Sequence, residues 1–569
     1  MNRIIATLSL LLLTVATSAK SFSPEDYVYP LEGVSKLYSA SFGELRSDHF
    51  HSGIDIKTDG VEGKRVVAVA DGYISRIALS PYGYGLALYV THYNGSTSVY
   101  GHLSRFRDDV AKYVEQERYR TKSNSVNLFC NSKTFVVKQG ELIAYSGNSG
   151  SSAGPHLHFE IRETSNQKPI NVIAQKIIKP VDNISPLIMK LHYIEVDTLQ
   201  GIPHNAKRKS YDVEKVDGKY QIVGGAKVSV GRRGYFVLEA SDRRDGVTNT
   251  FGLYNLTAAI DGEKYFEYTM DGFTYDRTRY CNAIGYYPIM INTRNEPLRL
   301  AATQFSDLNH YKTLVNRGVI GAKVGEQREM SIVVLDDCGN SSQFDFSIVG
   351  KTEEECFKAE MVEPRLVITA ATPYVYRNDG ISISIGAYTL YESSVFSCTK
   401  ISISDSRALS AGYKILDITT PLHKAMNVSI EADIPSELHS KVGLAFIGRT
   451  GRVSFIKGKY ASGRVTASSR SAGTFYVMTD TAAPTLELSF AEGSQQGNSS
   501  YFTCTASDDL SGVSSYTATI DGEWIALDLA HGRLRHDFRS AADGKSHKLV
   551  ISVTDGVGNS TTLTRNFTR

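Results

Sequence analysis

Two short stretches hold side chains that can converge on a metal: Phe50-His51-Ser52-Gly53-Ile54-Asp55-Ile56 and Gly154-Pro155-His156-Leu157-His158-Phe159-Glu160-Ile161. In each, apolar residues alternate with polar ones, as in a half-buried strand whose successive side chains face opposite ways. Both are expected to be strands. A period of two places His156 and His158 on one face, with Leu157, Phe159 and Ile161 on the other. By the same parity His51 and Asp55 share a face opposite Ile54 and Ile56. Imidazole and carboxylate are zinc ligands, and two histidines with one acid leave a fourth position open to water, as in catalytic rather than structural zinc sites.

The elements that would position these residues are short strands. Residues 68–74, 86–92 and 98–104 alternate in the same way and are bounded by turn signals such as Asp71-Gly72, Tyr82-Gly83-Tyr84-Gly85 and Asn94-Gly95. A compact antiparallel sheet is expected, forming a first domain over residues 20–185. Between Phe106 and Phe135 the pattern changes. Phe106, Val110, Tyr113 and Val114 fall at helical spacing among Asp108, Asp109, Lys112, Glu115, Glu117 and Arg118. This predicts a short amphipathic helix beside the cleft, read as a cover for the sheet in preference to a gate. His49 imitates the later His-x-His and shares parity with His51, but reads as flanking the site; His92, before a turn, reads as structural. Glu160 shares parity with His158 and is either an acceptor orienting an imidazole or half of a salt bridge. The glycine-rich run 147–154 lacks a following P-loop lysine and leads into a strand, so it reads as a cleft wall or a tight connection rather than a phosphate cradle.

Together, His51-x-x-x-Asp55, Val99-Tyr100-Gly101-His102-Leu103-Ser104 and Gly147-Asn148-Ser149-Gly150 through His156-Leu157-His158-Phe159-Glu160 resemble the LytM/lysostaphin-type zinc metallopeptidases, which cleave peptide cross-links in bacterial peptidoglycan. The resemblance covers the first third of the chain. It implies Zn2+ as cofactor, His51, Asp55 and His158 as its ligands, and His102 and His156 as the catalytic pair beside it. It also implies peptidoglycan stem peptides as the substrate. No tyrosine is evident at the upstream positions where some relatives place a transition-state donor. An enzyme is favoured over a non-enzymatic LytM-like binding or activator protein, because degenerate relatives typically lose zinc residues and all five are present here.

Met1-Asn2-Arg3, the apolar run 4–15 and the small-residue end Thr17-Ser18-Ala19 read as a signal peptide over residues 1–19, which would send the chain to the periplasm or outside the cell. No later apolar stretch reaches the roughly 18 residues of a membrane span. Lys+Arg 62 against Asp+Glu 60 leaves +2, too little to favour nucleic acid or an anionic membrane. Six scattered cysteines show no metal spacing and read as structural or free.

Over its 569 residues the chain is expected to be mainly β, the peptidase domain being followed by immunoglobulin-like β-sandwiches at 186–352 and 481–569 and a further β-rich domain at 363–480. An internal repeat supports the two sandwiches. Ser241-Asp242, Asp245-Gly246-Val247 and Ile260-Asp261-Gly262 recur as Ser507-Asp508, Ser511-Gly512-Val513 and Ile520-Asp521-Gly522. Asp336-Asp337-Cys338-Gly339-Asn340-Ser341 likewise recurs as Asp555-Gly556-Val557-Gly558-Asn559-Ser560. Such turns could hold calcium, but they lack EF-hand spacing and read as plain turns. These later domains offer surfaces for envelope partners.

Overall fold

Along Gly72–Leu79 and Ser341–Gly350 buried residues alternate with exposed or half-exposed ones, the signature of strands with one face in a core. In a computed structural model, which describes residues 22–569 apart from 200–201, 294, 307, 361 and 539–540, such strands dominate and the chain is mainly β. The expected signal peptide at 1–19 lies outside the described residues. Among the described residues, no helix is long and apolar enough to cross a membrane.

The first domain holds β1 (Tyr38–Ala40), β2 (Ile54–Lys57), β3 (Arg65–Val67), β4 (Gly72–Leu79), β5 (Leu86–His92) and β6 (Ser96–Phe106). Helix α1 (Asp108–Thr121) follows, then β7 (Val126–Phe129), β8 (Val136–Val137), β9 (Leu142–Ser146), β10 (His156–Glu163) and β11 (Pro169–Ile170). Its main sheet runs β1-β2-β10-β6-β5-β4-β7, with every neighbour antiparallel. Centrally placed β10 sets His158 opposite Asp55 of β2 on one side and Gly101 of β6 on the other. On the reverse face Ile54, Ile56, Tyr100, Leu157, Phe159 and Ile161 are fully buried in one core.

Two expected strands differ. Residues 68–71 form the connection between β3 and β4, because side chains compete for their backbone: the Val69 N–H donates to the Tyr100 hydroxyl (3.0 Å) and its carbonyl accepts from Gln139 Nε2 (3.1 Å). Residues 50–53 form an irregular lead-in, and β2 starts only at Ile54. His51 therefore reaches Asp55 through a bend rather than by strand parity. Gly53 permits that bend to pack closely, since a Cβ there would run into the carbonyl oxygen of Phe159.

The expected helix is α1. Asp108 and Asp109 lie in its first turn and Arg118 and Arg120 in its last, favourable with the helix dipole, and Lys122 in the left-handed conformation ends it. Val110 and Val114 face the core. Arg118, expected on the polar face, is buried instead, because the chain's last domain docks there. It donates to the Leu527 carbonyl (3.1 Å) and pairs with Asp528 (2.8 Å), while Tyr119 meets Trp524 edge-on.

Residues 187–350 form an eleven-stranded sheet system in which the long strand Ile202–Val216 pairs with Leu187–Leu199 and then with Lys219–Ile222. Residues 367–479 hold two five-stranded sheets, with a small two-stranded one beside them; residues 485–568 hold a four-stranded and a five-stranded sheet. The core at 187–350 does not stop at the domain boundary. Phe42 and Phe50, from the loop carrying His51, are buried within it against Phe273 at 5.5 and 5.1 Å between ring centres. All six cysteines are free.

Candidate metal centre

Sheet register and the 50–53 bend bring three donor atoms together. His51 Nε2, Asp55 Oδ1 and His158 Nδ1 lie 3.0–3.1 Å from one another. A tetrahedral ion with ligands at about 2.05 Å would separate its donors by roughly 3.3 Å. Tautomers follow from the outer partners, which only accept. The Ser41 carbonyl lies 2.7 Å from His51 Nδ1, and Glu160 Oε1 lies 2.8 Å from His158 Nε2. Each of these outer nitrogens therefore carries a proton, and the inner nitrogens are the atoms that would face a metal. Without a metal, a second proton on His158 Nδ1 bridges to Asp55 Oδ1, and a bound ion would take its place. Burial opposes charge on His158, but hydrogen bonds and charges from Asp55 and Glu160 prevail and raise its pKa to about 9. Asp55 is held well below the usual carboxylate range by His51 and His158 despite its burial. The residues fit a metal with mixed nitrogen and oxygen ligands.

Beside the triad stand His102 and His156, their ring centres 4.7 Å apart. His102 Nδ1 lies 2.8 Å from the Ser149 carbonyl, and His156 Nδ1 lies 2.8 Å from that of Gly154. Both Nδ1 atoms donate, which leaves both Nε2 atoms as acceptors. Burial, with the neighbouring charges of His158 and His156, pulls the pKa of His102 down to about 4, so it is neutral at pH 7. His102 sits at φ +58° where the β5–β6 register slips between Leu86 and Leu88, and its N–H leaves the ladder for the Tyr84 carbonyl (2.8 Å). A bulge of this kind re-aims a side chain at the cost of local strain. The glycine-rich run supplies the carbonyls of Ser149 and Gly154, and so orients both imidazoles. His156 and Asp55 side chains keep 15% of their surface exposed while His158 keeps 4%, so the centre opens to solvent on the His156 side.

Glu160 combines both expected roles. Its Oε1 accepts from His158 Nε2, Ser52 Oγ (2.8 Å) and the Tyr84 hydroxyl (2.6 Å), and its Oε2 accepts from Arg162 Nε (2.6 Å) and the Tyr275 hydroxyl (3.0 Å). Burial would raise its pKa, but Arg162 and His158 hold it far below the usual range. Tyr84 also packs its ring on His158 at 4.9 Å. It brings a tyrosine into the site from residues 82–85, whose glycines signal only a turn. Arg162 shares parity with His158 and Glu160 and was legible by extending the period of two. Tyr275 comes from the following domain and has no local signal. His49 is exposed and paired with Asp48 (2.7 Å), and His92 is buried with Nε2 at 2.8 Å from Ser98 Oγ; neither joins the centre.

Residues 49–125 and 119–172 match peptidase family M23. The first domain belongs to that family. The M23 domain is 32% identical over 136 residues to the DD-carboxypeptidase/endopeptidase Mpg of Neisseria meningitidis, a match covering 24% of this chain and 25% of that protein. It is 32% identical over 127 residues to an uncharacterized metalloprotease of Haemophilus influenzae, covering 22% and 21%. The matched stretch thus spans about a quarter of the length of these relatives. Among solved structures, the catalytic domain of the prophage-encoded M23 protein EnpA from Enterococcus faecalis is similar at 25% identity, covering 25% of this chain and 92% of that one with a TM-score of 0.19. Outside the M23 domain, residues 366–480 match the Zu5-like domain.

Proposed function

We propose that this chain is an exported zinc endopeptidase that hydrolyses peptide cross-links of bacterial peptidoglycan, working in the periplasm or outside the cell. The observation that carries this reading is the closure of His51 Nε2, Asp55 Oδ1 and His158 Nδ1 to within 3.1 Å, with two further imidazoles at its open side. Zinc bound to those three atoms would supply a Lewis acid that polarises the scissile carbonyl and lowers the pKa of water towards about 7.

The chain's own residues do the rest. His102 and His156, each locked with Nδ1–H on a carbonyl, present Nε2 to the substrate side; one accepts the proton of the attacking water and the other protonates the departing amine. Glu160, fixed by five donors, holds the His158 ring in the orientation that exposes Nδ1. The β-rich domains position the M23 domain and, through Phe273 and Tyr275, brace its centre.

Digestion of purified peptidoglycan by residues 20–569, with zinc or with chelator, tests the proposal. Mass analysis should show cross-linked dimers becoming monomers only when zinc is present, and the fragment masses name the bond. Dimers that survive with zinc bound would move the assignment to a non-enzymatic activator of another wall hydrolase.

A further inference from the structure

The repeat that marks two of the later domains also builds one loop arrangement twice. In the first copy Asp182 lies in the connector before strand Leu187–Leu199, Asp242 follows strand Gly234–Ser241, and Asp336 follows strand Gln327–Leu335. In the second copy Asp480 precedes Thr485–Leu488, Asp508 follows Tyr501–Ser507, and Asp555 ends Ser546–Asp555. Each triad brings one carboxylate oxygen per residue within 4.8 Å of the others. The loop that carries the third aspartate repeats atom for atom. Asp336 Oδ1 accepts from the amides of Cys338, Gly339 and Asn340 at 2.9, 2.6 and 2.8 Å; Asp555 Oδ1 accepts from those of Val557, Gly558 and Asn559 at the same three distances. Asn340 Nδ2 ties Asp336 to the Asp182 carbonyl, and Asn559 Nδ2 ties Asp555 to the Asp480 carbonyl.

These bonds shape the loops but leave several buried carboxylate oxygens without a hydrogen-bond donor. Asp242 is completely buried, and neither of its carboxylate oxygens accepts a hydrogen bond. Asp182 Oδ2 and Asp508 Oδ1 are also buried without a partner, while the other oxygen of Asp182 accepts from the Ile184 amide and that of Asp508 from the amides of Leu510 and Gly512. An isolated buried carboxylate is among the most costly groups a fold can hold. Arg244 meets the need only in part. Its Nη2 is committed to Asp337 at 2.6 Å, and its Nε stays 3.9 Å from Asp242. In the second copy, among the described residues, no lysine, arginine or histidine comes within ion-pair distance of Asp480, Asp508 or Asp555.

We infer that the two triads are divalent-cation sites of the calcium class, one at the entrance to each repeated domain. The donors identified are hard oxygens, the set that calcium and magnesium take and that zinc passes over for nitrogen and sulfur. The donor atoms lie within 4.8 Å of one another, close enough to share one ion with ligands at about 2.4 Å, whereas magnesium keeps much of its water shell and is seldom held by protein ligands alone. Each site takes one ligand from an interdomain connector and two from loops of the domain that follows. An ion bound there would clamp the connector to its domain and stiffen the joint. These sites share no residue with the centre at His51, so the inference stands apart from the zinc reading.

The test uses residues 20–569 loaded with zinc, stripped of other ions with a calcium-selective chelator and titrated with CaCl2. Two equivalents of calcium should bind per chain, with a rise in Tm, and magnesium should bind more weakly. Asp242→Asn and Asp508→Asn should each remove one equivalent, and the double variant both, with zinc content unchanged. If one variant fails to fold, the other and the unmodified protein still decide the matter. No calcium bound at millimolar concentration, or two equivalents retained in the double variant, would overturn the inference. A Tm that rises in Asp242→Asn without any calcium effect in the parent would also overturn it, showing a strained carboxylate cluster instead.

Discussion

The M23 domain and the repeated domains each gather three ligand-bearing side chains, yet the two kinds of triad differ in every detail that selects an ion. At His51, Asp55 and His158, outer acceptors each hold one imidazole N–H and turn the other nitrogen inward. At Asp182, Asp242 and Asp336 the identified ligand atoms are all carboxylate oxygens, and the loops are shaped by backbone amides. The first kind lies beside two more histidines and opens to solvent; the second sits at a joint. Donor chemistry, not ligand count, separates a centre suited to hydrolysis from one suited to stiffening.

Removing one member of the mixed triad should have the largest effect. His158→Ala is expected to lose zinc and peptidoglycan turnover while retaining two equivalents of calcium; elemental analysis checks this, and joint loss of both metals would erase the distinction. His102→Ala should keep both metals and lower the rate of muropeptide release by about 10²–10⁴-fold, the range of a general acid or base. An unchanged rate would confine the chemistry to the metal alone.

Two further variants ask whether the mixed triad depends on its neighbour domain. Phe273→Ala opens a cavity against Phe50 and Phe42 and should cost about 3–5 kcal/mol in denaturant unfolding, with reduced turnover. Full stability and activity would mean the M23 domain holds its centre unaided. His310 stacks on Tyr268 and lies tilted against Phe50 with both ring nitrogens unpartnered, and burial, aided by Lys312, pulls its pKa down to about 4. The folded value lies below the unfolded 6.5, so its neutral form supports the fold above pH 6.5, and that support is lost as pH falls towards 4. The difference amounts to about 3 kcal/mol. His310→Phe should flatten this part of the Tm–pH curve, and identical curves would refute the assignment. Smallest is Glu160→Gln, expected to weaken zinc binding by about 10–100-fold through the loosened His158 ring. Equal affinity would leave Glu160 a structural ion pair with Arg162.

Much of the centre was legible in the sequence because strands repeat every two residues. His156, His158, Glu160 and Arg162 fall on one face of β10 by arithmetic, and the apolar residues between them form the core behind. Helix α1 was equally readable from its apolar spacing, and the turn repeat from its Asp, Gly and Asn residues. Parity failed at His51, where Ser52 and Gly53 leave the strand, and at residues 68–71, where the Tyr100 and Gln139 side chains take the backbone bonds.

Local pattern alone determined which residues are available for chemistry, since residue type and periodicity are properties of a short segment. Tertiary structure alone decided what those residues meet. The left-handed turn at His102, the carbonyls that choose each tautomer, the packing of Phe50 in the next domain's core and the unpaired carboxylate of Asp242 all depend on segments far apart in the chain. No window of sequence contains both partners of such a contact. The energies of hydrogen bonding and burial that fix it are settled only when the sheets close.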